Sequence, residues 1–244
     1  MSSASPRITR FELAPGRIIA GKYVVGRRLG AGWEGEVYEV QEKRTGVRRA
    51  AKLFFPHRNP GDRIVRESAR RLEQLRGCST VIQYHHSETY RFRGREVTCL
   101  VSELVEGTLL SDLVSRSPRR RLGVFEALHL THTLARGLEE IHERRAYHGD
   151  LHDGNVMVLR RGIFFSVKVL DFFHRGRFSR ANVEDDVVDL TRLLYDSVGG
   201  RVAYAKQPEA VKAICRGLRR DLILERFPTA AHLRRHLESF DWET

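Results

Sequence analysis

Three stretches of the chain bring together residue types that can do chemistry. The densest is His148-Gly149-Asp150-Leu151-His152-Asp153-Gly154-Asn155. It is followed by Val156-Met157-Val158-Leu159, a turn at Arg160-Arg161-Gly162, then Val167-Lys168-Val169-Leu170 and Asp171. If the two apolar runs pair as an antiparallel hairpin, Asn155 before the first and Asp171 after the second meet at its open end. Two oxygen donors then converge, a set suited to Mg²⁺, which binds through few protein oxygens together with substrate phosphates. Asp150 precedes Asn155 on the same loop, where a carboxylate can accept a hydroxyl proton. The same stretch also reads as a zinc cluster, with His148, Asp150, His152 and Asp153 as imidazole and carboxylate donors. That reading leaves the other two stretches and Asp171 without a role. His148 by itself fits a core-facing histidine.

The second stretch is Gly30-Ala31-Gly32-Trp33-Glu34-Gly35-Glu36-Val37. Glycines between two strands let the backbone approach a ligand closely, and their amides can cap phosphate oxygens. A dinucleotide-binding glycine motif requires a helix directly after it, whereas Glu36-Val37-Tyr38-Glu39-Val40 has a strand pattern. A glycine-rich hairpin without a ligand is the plainer alternative. The third stretch is Ala50-Ala51-Lys52-Leu53-Phe54-Phe55, in which strand alternation puts Ala50, Lys52 and Phe54 on one face. A lysine carried toward an apolar face needs an anionic partner; an edge-strand lysine that discourages aggregation is the alternative. Glu67 is the natural protein partner, and Glu73 is a second candidate on another helical face.

The elements that must position these residues follow from periodicity. YVVGRRL, EVYEV, RRAAKLFF, VIQYH and TCLVSELV, between Tyr23 and Val105, are short, rich in β-branched and aromatic residues, and bounded by turn formers. One helix, Asp62 to Arg76, interrupts them. After Glu106-Gly107 the period becomes helical. Apolar residues recur at i, i+3, i+4 and i+7 from Phe125 to Ile141, and helices are expected over 186–197, 209–218 and 230–237. The expected organisation is a flexible arm over 1–15, a β-rich lobe over 16–105 and a helical lobe over 106–244. Small molecules commonly bind where two such lobes meet.

Composition narrows the class. A chain of 244 residues with 41% hydrophobic and 30% charged residues is globular, neither disordered nor collagen-like. No apolar run reaches the ~18 residues needed to span a bilayer. The N-terminus lacks the apolar core of a secretion signal, so a cytoplasmic protein, or one delivered to another cell's cytosol, is expected. Three scattered cysteines exclude a disulfide framework. The +12 charge, 43 basic against 31 acidic residues, permits attraction to anionic partners without selecting one. The short arginine clusters lack interleaved aromatics, and nucleic acid is not an expected partner.

Taken together, these residues resemble the protein kinase superfamily over about 16–237, and the stretch Pro15-Gly16-Arg17-Ile18-Ile19-Ala20-Gly21-Lys22-Tyr23 resembles bacterial Ser/Thr kinases. The resemblance implies an α+β, two-lobed kinase fold and an ATP- and Mg²⁺-dependent transfer of phosphate to a protein hydroxyl. It implies that Gly30, Ala31, Gly32 and Gly35 cover ATP, that Val37, Ala50 and Met157 enclose adenine, and that Lys52, paired with Glu67, holds the α- and β-phosphates. Ser102 resembles the gatekeeper. Glu103 and Val105 would bond adenine through their backbones, Asp150 would be the base, and Asn155 and Asp171 the metal ligands. His152, in the catalytic group with Asp150, is one of four departures.

Gly149 stands where an arginine usually receives an activating phosphate, so that switch is expected to be absent. His152 replaces a common lysine, and HGDLHxGN is also similar to aminoglycoside and choline phosphotransferases, which keeps a small-molecule acceptor as the alternative. Phe173 replaces a glycine of the metal-binding loop and should restrict its backbone. Only 14 residues separate Asp171 from Asp186, and no Ala-Pro-Glu motif follows, so the usual peptide platform is incomplete and Arg226 lacks its expected glutamate. Arg175, Arg177 and Arg180 on this short segment are expected to form a basic rim that draws acidic substrate surfaces. A pseudokinase binding module is disfavoured because Lys52, Asp150, Asn155 and Asp171 are all present.

Overall fold

The computed structural model describes residues 7–162, 164–172 and 176–239. The expectations placed on Phe173 and Arg175 therefore lie outside the described residues, as does the start of the expected arm. The chain divides into two units. One runs through Arg76 and resumes from Ile82 to Val105; the other comprises Gly77–Val81 and the chain from Glu106 on.

The first unit is a six-stranded antiparallel sheet with one helix. Its strands are β1 (Ile18–Ile19), β2 (Tyr23–Ala31), β3 (Gly35–Glu42), β4 (Arg48–Phe54), then β5 (Tyr84–Phe92) and β6 (Arg95–Ser102), with α1 (Arg63–Gln74) between β4 and β5. They lie in the order β1-β2-β3-β4-β6-β5. β5 extends well past the apolar run VIQYH. Its side chains alternate between half-buried and exposed, with polar residues at most outward positions, so apolar content alone underestimates its length.

Pleating gives this sheet two unlike faces. Tyr38, Val40, Ala51, Leu53, Cys99 and Val101 join one buried cluster with Ile8, Phe11 and Leu13. The expected flexible arm is thus corrected from residue 7 onward. Phe11 stacks on Phe55 with ring centroids 5.2 Å apart and meets Phe92 edge-on at 5.4 Å. The backbone N–H groups of Phe11 and Glu12 donate to the buried carboxylate of Glu36 at 3.1 and 3.3 Å, and the Tyr38 hydroxyl donates to it as well. The N–H of Leu13 donates to the Tyr38 oxygen at 3.0 Å. Three apolar side chains at alternate or near-alternate positions, Ile8, Phe11 and Leu13, carry the hydrophobic gain that orders this segment.

The second unit opens with β7 (Thr108–Leu109), α2 (Leu110–Arg116) and α3 (Val124–Glu143), continues through the hairpin β8 (Val156–Arg161) and β9 (Phe164–Val169), and closes with α4 (Arg180–Ser197), α5 (Gly200–Ala203), α6 (Glu209–Cys215), α7 (Arg220–Arg226) and α8 (Ala230–Glu238). α3 buries Ala127, Leu128, Leu130, Leu134, Ala135, Leu138 and Ile141 along one stripe, as its period requires. α4 starts at a capping box in which Ser179 accepts from the Asn182 N–H and the Asn182 side chain accepts from the Ser179 N–H. The hydroxyl of Ser179 is therefore part of a helix start.

Candidate functional site

On the sheet of the first unit, cross-strand pairing places Val37 opposite Lys52 and Lys52 opposite Leu100, while Glu39 pairs with Ala50 and Ala50 with Ser102. Directly opposed residues share a face. Val37, Ala50, Lys52 and Ser102 therefore lie together on the face opposite the one covered by Phe11. The Lys52 ammonium sits 5.4 Å from the centre of the Phe54 ring, so the side chain crosses apolar surface as the alternation implies. Glu103 is held by a reciprocal pair with Gln83. Its N–H donates to the Gln83 carbonyl at 2.9 Å, and its carboxylate accepts from the Gln83 N–H at 3.1 Å. Val105 ends this unit, and Met157 lies half-buried on β8 of the other.

β2 and β3 are joined by a tight turn in which the N–H of Gly32 donates to the carbonyl of Gly35 at 2.9 Å. A strand, not a helix, follows the glycines, which excludes the dinucleotide-binding reading. Gly35 is required by close approach, since a Cβ there would lie 1.8 Å from the Leu53 carbonyl oxygen.

Lys52 has an anionic partner other than the two expected ones. Its ammonium donates to the carboxylate of Glu34, in the glycine turn, at 2.8 Å. Glu67 pairs with Arg63 at 2.8 Å and Glu73 with Arg76 at 2.6 Å. The reason is helix rotation. The buried side chains of α1 are Val65 and Leu72, and at 3.6 residues per turn Glu67 projects from nearly the opposite side of the helix. No sequence signal marked Glu34, because an acidic residue in a polar turn is ordinary.

In the second unit, β8 and β9 pair from Val156 opposite Val169 to Arg161 opposite Phe164, so Asn155 and the segment entering Asp171 do meet at the hairpin's open end. The N–H of Leu170 donates to the Asn155 carbonyl at 2.8 Å. The Asn155 amide nitrogen donates to the Asp150 carbonyl at 3.0 Å, which turns its oxygen to other use. Asp171 holds a left-handed backbone with φ of 47°, a strained conformation of the kind that gathers at functional sites. The Asp150 carboxylate stays 57% exposed, 3.8 Å from the His152 imidazole. The other ring nitrogen of His152 accepts from the Gly154 N–H at 3.1 Å, so this histidine caps the short 3₁₀ turn Asp153–Asn155.

Backbone geometry explains the glycine beside Asp150. Gly149 has φ of 78°, where a Cβ is disfavoured. Its N–H and that of His148 each donate to a separate oxygen of Asp186, both at 2.8 Å, and the His142 ring bonds the same carboxylate at 2.9 Å. Asp186 is fully buried. It stands among Val183, Val187, Leu190 and Leu194 on the inward stripe of α4, and a charge within an apolar stripe is the sequence signal that could have found it. His148 is also buried. Its Nε2 donates to the Leu170 carbonyl at 2.9 Å, and its Nδ1 accepts from the Asp150 N–H at 3.3 Å. The ring is therefore neutral and ties the loop to the hairpin, and burial holds its pKa below the ordinary value. Among the described residues no three His, Cys, Asp or Glu side chains gather closely enough to hold a metal.

The protein kinase domain family matches residues 23–209. Among curated relatives, the Ser/Thr-protein kinase pkn2 of Myxococcus xanthus is 32% identical over 66% of this chain and 19% of its own length. PknA of Mycobacterium tuberculosis is 29% identical over 69% and 37%, and human death-associated protein kinase 2 is 28% identical over 70% and 46%. The chain thus spans from about a fifth to under a half of these relatives. The crystal structure of the Mycobacterium tuberculosis PknI kinase domain covers 94% of this chain, and 98% of its own, with a TM-score of 0.65 at 20% identity, a likeness of fold. No helix among the described residues is long and apolar enough to cross a membrane. With a β-sheet lobe, a helical lobe and a family match over most of its length, this chain belongs to the protein kinase domain family.

Proposed function

We propose that this protein is an ATP-dependent phosphotransferase that delivers the γ-phosphate of ATP to a Ser or Thr hydroxyl of a protein. The observation that carries the reading is the anchoring of the loop 148–150. Its backbone is fixed on buried Asp186 while the Asp150 carboxylate is left exposed. A base held by its backbone and open at its carboxylate is arranged to accept a hydroxyl proton as the oxygen attacks phosphorus.

Each unit contributes its own part. Val37, Ala50 and Met157 offer apolar surface to adenine, with Ser102, Glu103 and Val105 at the edge that would bond it. Gly30, Ala31, Gly32 and Gly35 let the turn approach phosphate oxygens, and Lys52 supplies their counter-charge. Asn155 and Asp171 fit a divalent cation. The Asn155 amide nitrogen is already committed, so its oxygen is the donor on offer, and Asp171 adds a carboxylate. Mg²⁺ bound there would supply charge neutralisation at the phosphates. Arg177, exposed, favours an acidic substrate surface, whereas Arg180 is paired with Glu184 at 2.7 Å and contributes less to that rim.

The test is incubation of the purified protein with labelled ATP and Mg²⁺, alone and with a basic protein, an acidic protein, choline or an aminoglycoside, followed by mapping of the labelled atoms. Label on Ser or Thr that falls at least ~10²-fold in Asp150→Asn and Asp171→Ala is the expected result. Label confined to the small acceptors would replace the protein substrate with the alternative class. Absence of transfer to every acceptor would refute the enzymatic reading.

A further inference from the structure

The glycine turn carries its own anion. Glu34 lies within Gly30-Ala31-Gly32-Trp33-Glu34-Gly35, and its carboxylate accepts from the Lys52 ammonium at 2.8 Å. Both side chains are largely screened from water, Lys52 at 22% and Glu34 at 32% exposed. The backbone beneath this contact is held at three points. The Glu34 carbonyl accepts from the Phe55 N–H at 2.8 Å, the Gly32 N–H donates to Gly35 at 2.9 Å, and Gly35 packs against the Leu53 carbonyl where no Cβ would fit. Beside it the Trp33 ring lies under the Arg58 guanidinium, 4.2 Å from ring centre to carbon. With the main chain pinned at these points, the carboxylate can leave Lys52 by side-chain rotation alone.

We infer that Glu34 is a built-in phosphate surrogate, a carboxylate that occupies Lys52 until nucleotide phosphates displace it, and so sets how strongly this protein prefers phosphorylated nucleotides. This rests on the nucleotide-site reading above. The ground is charge. Two anions competing for one ammonium repel each other in a partly dehydrated setting, where their interaction is stronger than in water. Bound phosphate must therefore expel the carboxylate and leave it near other negative charge. Adenosine carries no phosphate and makes no such demand. Glu34 acts through Lys52 and is a positioning residue, and its effect divides nucleotides by charge.

The experiment is calorimetric titration of the full chain and of Glu34→Gln with adenosine, AMP, ADP and ATP, each without and with Mg²⁺, after thermal melts establish that the variant is folded. The glutamine preserves size and an acceptor for the ammonium while removing the charge. The expected result is ADP and ATP binding at least tenfold tighter in Glu34→Gln, with adenosine affinity unchanged within twofold. Lys52→Met in the Glu34→Gln background should abolish that gain. Equal or weaker ATP binding in Glu34→Gln, with adenosine still bound, would overturn the surrogate and leave the nucleotide site standing. A gain shared equally by adenosine would also overturn it, by showing that the turn merely blocks entry. Failure of both proteins to bind any of the four ligands would refute the nucleotide site and the surrogate with it.

Discussion

Replacing Asp186 by Asn should uncouple the loop that carries Asp150 from the helix beneath it. One carboxylate oxygen of Asp186 takes the His148 N–H and the His142 ring, and the other takes the Gly149 N–H. Asparagine offers one acceptor and one donor group. The less costly orientation keeps its oxygen on His148 and His142 and turns its NH₂ toward the Gly149 N–H. One charge-assisted hydrogen bond, ~1.5–3 kcal/mol, is then lost, and a donor facing a donor adds about 1–3 kcal/mol. A total of about 2.5–6 kcal/mol lies below most of the typical stability range of ~5–15 kcal/mol, so a folded protein is expected. In urea, with a slope of about 2 kcal/mol/M, the unfolding midpoint should fall by ~1.3–3 M. Because Asp150 directly follows Gly149, displacement of the loop by about 1 Å should also lower the transfer rate by ~10²-fold. Urea titration followed by circular dichroism, and transfer of labelled phosphate by the folded variant, test the two effects. A midpoint within ~0.3 M of the parent together with a full rate would refute the anchoring role.

Phe11→Ala, which removes a buried ring stacked on Phe55 and edge-on to Phe92, should cost about 3–5 kcal/mol; a melting temperature equal to the parent's would restore the flexible arm. Asp189 has its pKa raised to about 6 by burial and by the nearby Asp186 and Asp185 carboxylates. The native state therefore holds this proton more tightly than the unfolded chain, and the associated stability is full below pH ~4 and lost as pH rises through about 6. Asp189→Asn should abolish that decline and, after allowance for solvent screening, be more stable by about 1 kcal/mol at pH 7, as measured by denaturation at pH 4.5 and 7. Ser179→Ala should cost ~0.5–2 kcal/mol through the lost cap of α4, yet transfer phosphate without a lag. A lag that depends on prior phosphorylation of Ser179 would overturn that expectation.

Much of the second unit was legible in the sequence because its information is local. The 3.6-residue period from Phe125 to Ile141 needs only one buried side to become α3. The hairpin register that brings Asn155 to the mouth of β8 and β9 follows from two apolar runs and a short turn. The sidedness of Ala50, Lys52 and Phe54 follows from pleating alone. In each case covalent neighbours and backbone geometry leave few alternatives. The weaker apolar signal of β5, half its positions being outward and polar, left most of that strand unread.

Pairings between distant segments were another matter. The choice of Glu34 over Glu67 at Lys52 depends on how α1 is rotated about its axis, set by where Val65 and Leu72 find apolar surface. The ordering of residues 7–14 depends on the back face of a sheet whose strands run from Ile18 to Ser102 and on the Glu36 carboxylate within it. The anchoring of Asp150 through Gly149 depends on Asp186, 36 residues away from Asp150 along the chain. The amino-acid sequence by itself determined the period of the elements, the sheet face each strand residue occupies and the chemistry on offer. Tertiary structure decided which buried charge meets which donor, because that choice is made by the burial of whole faces and by the satisfaction of desolvated polar groups, quantities no short stretch of chain contains.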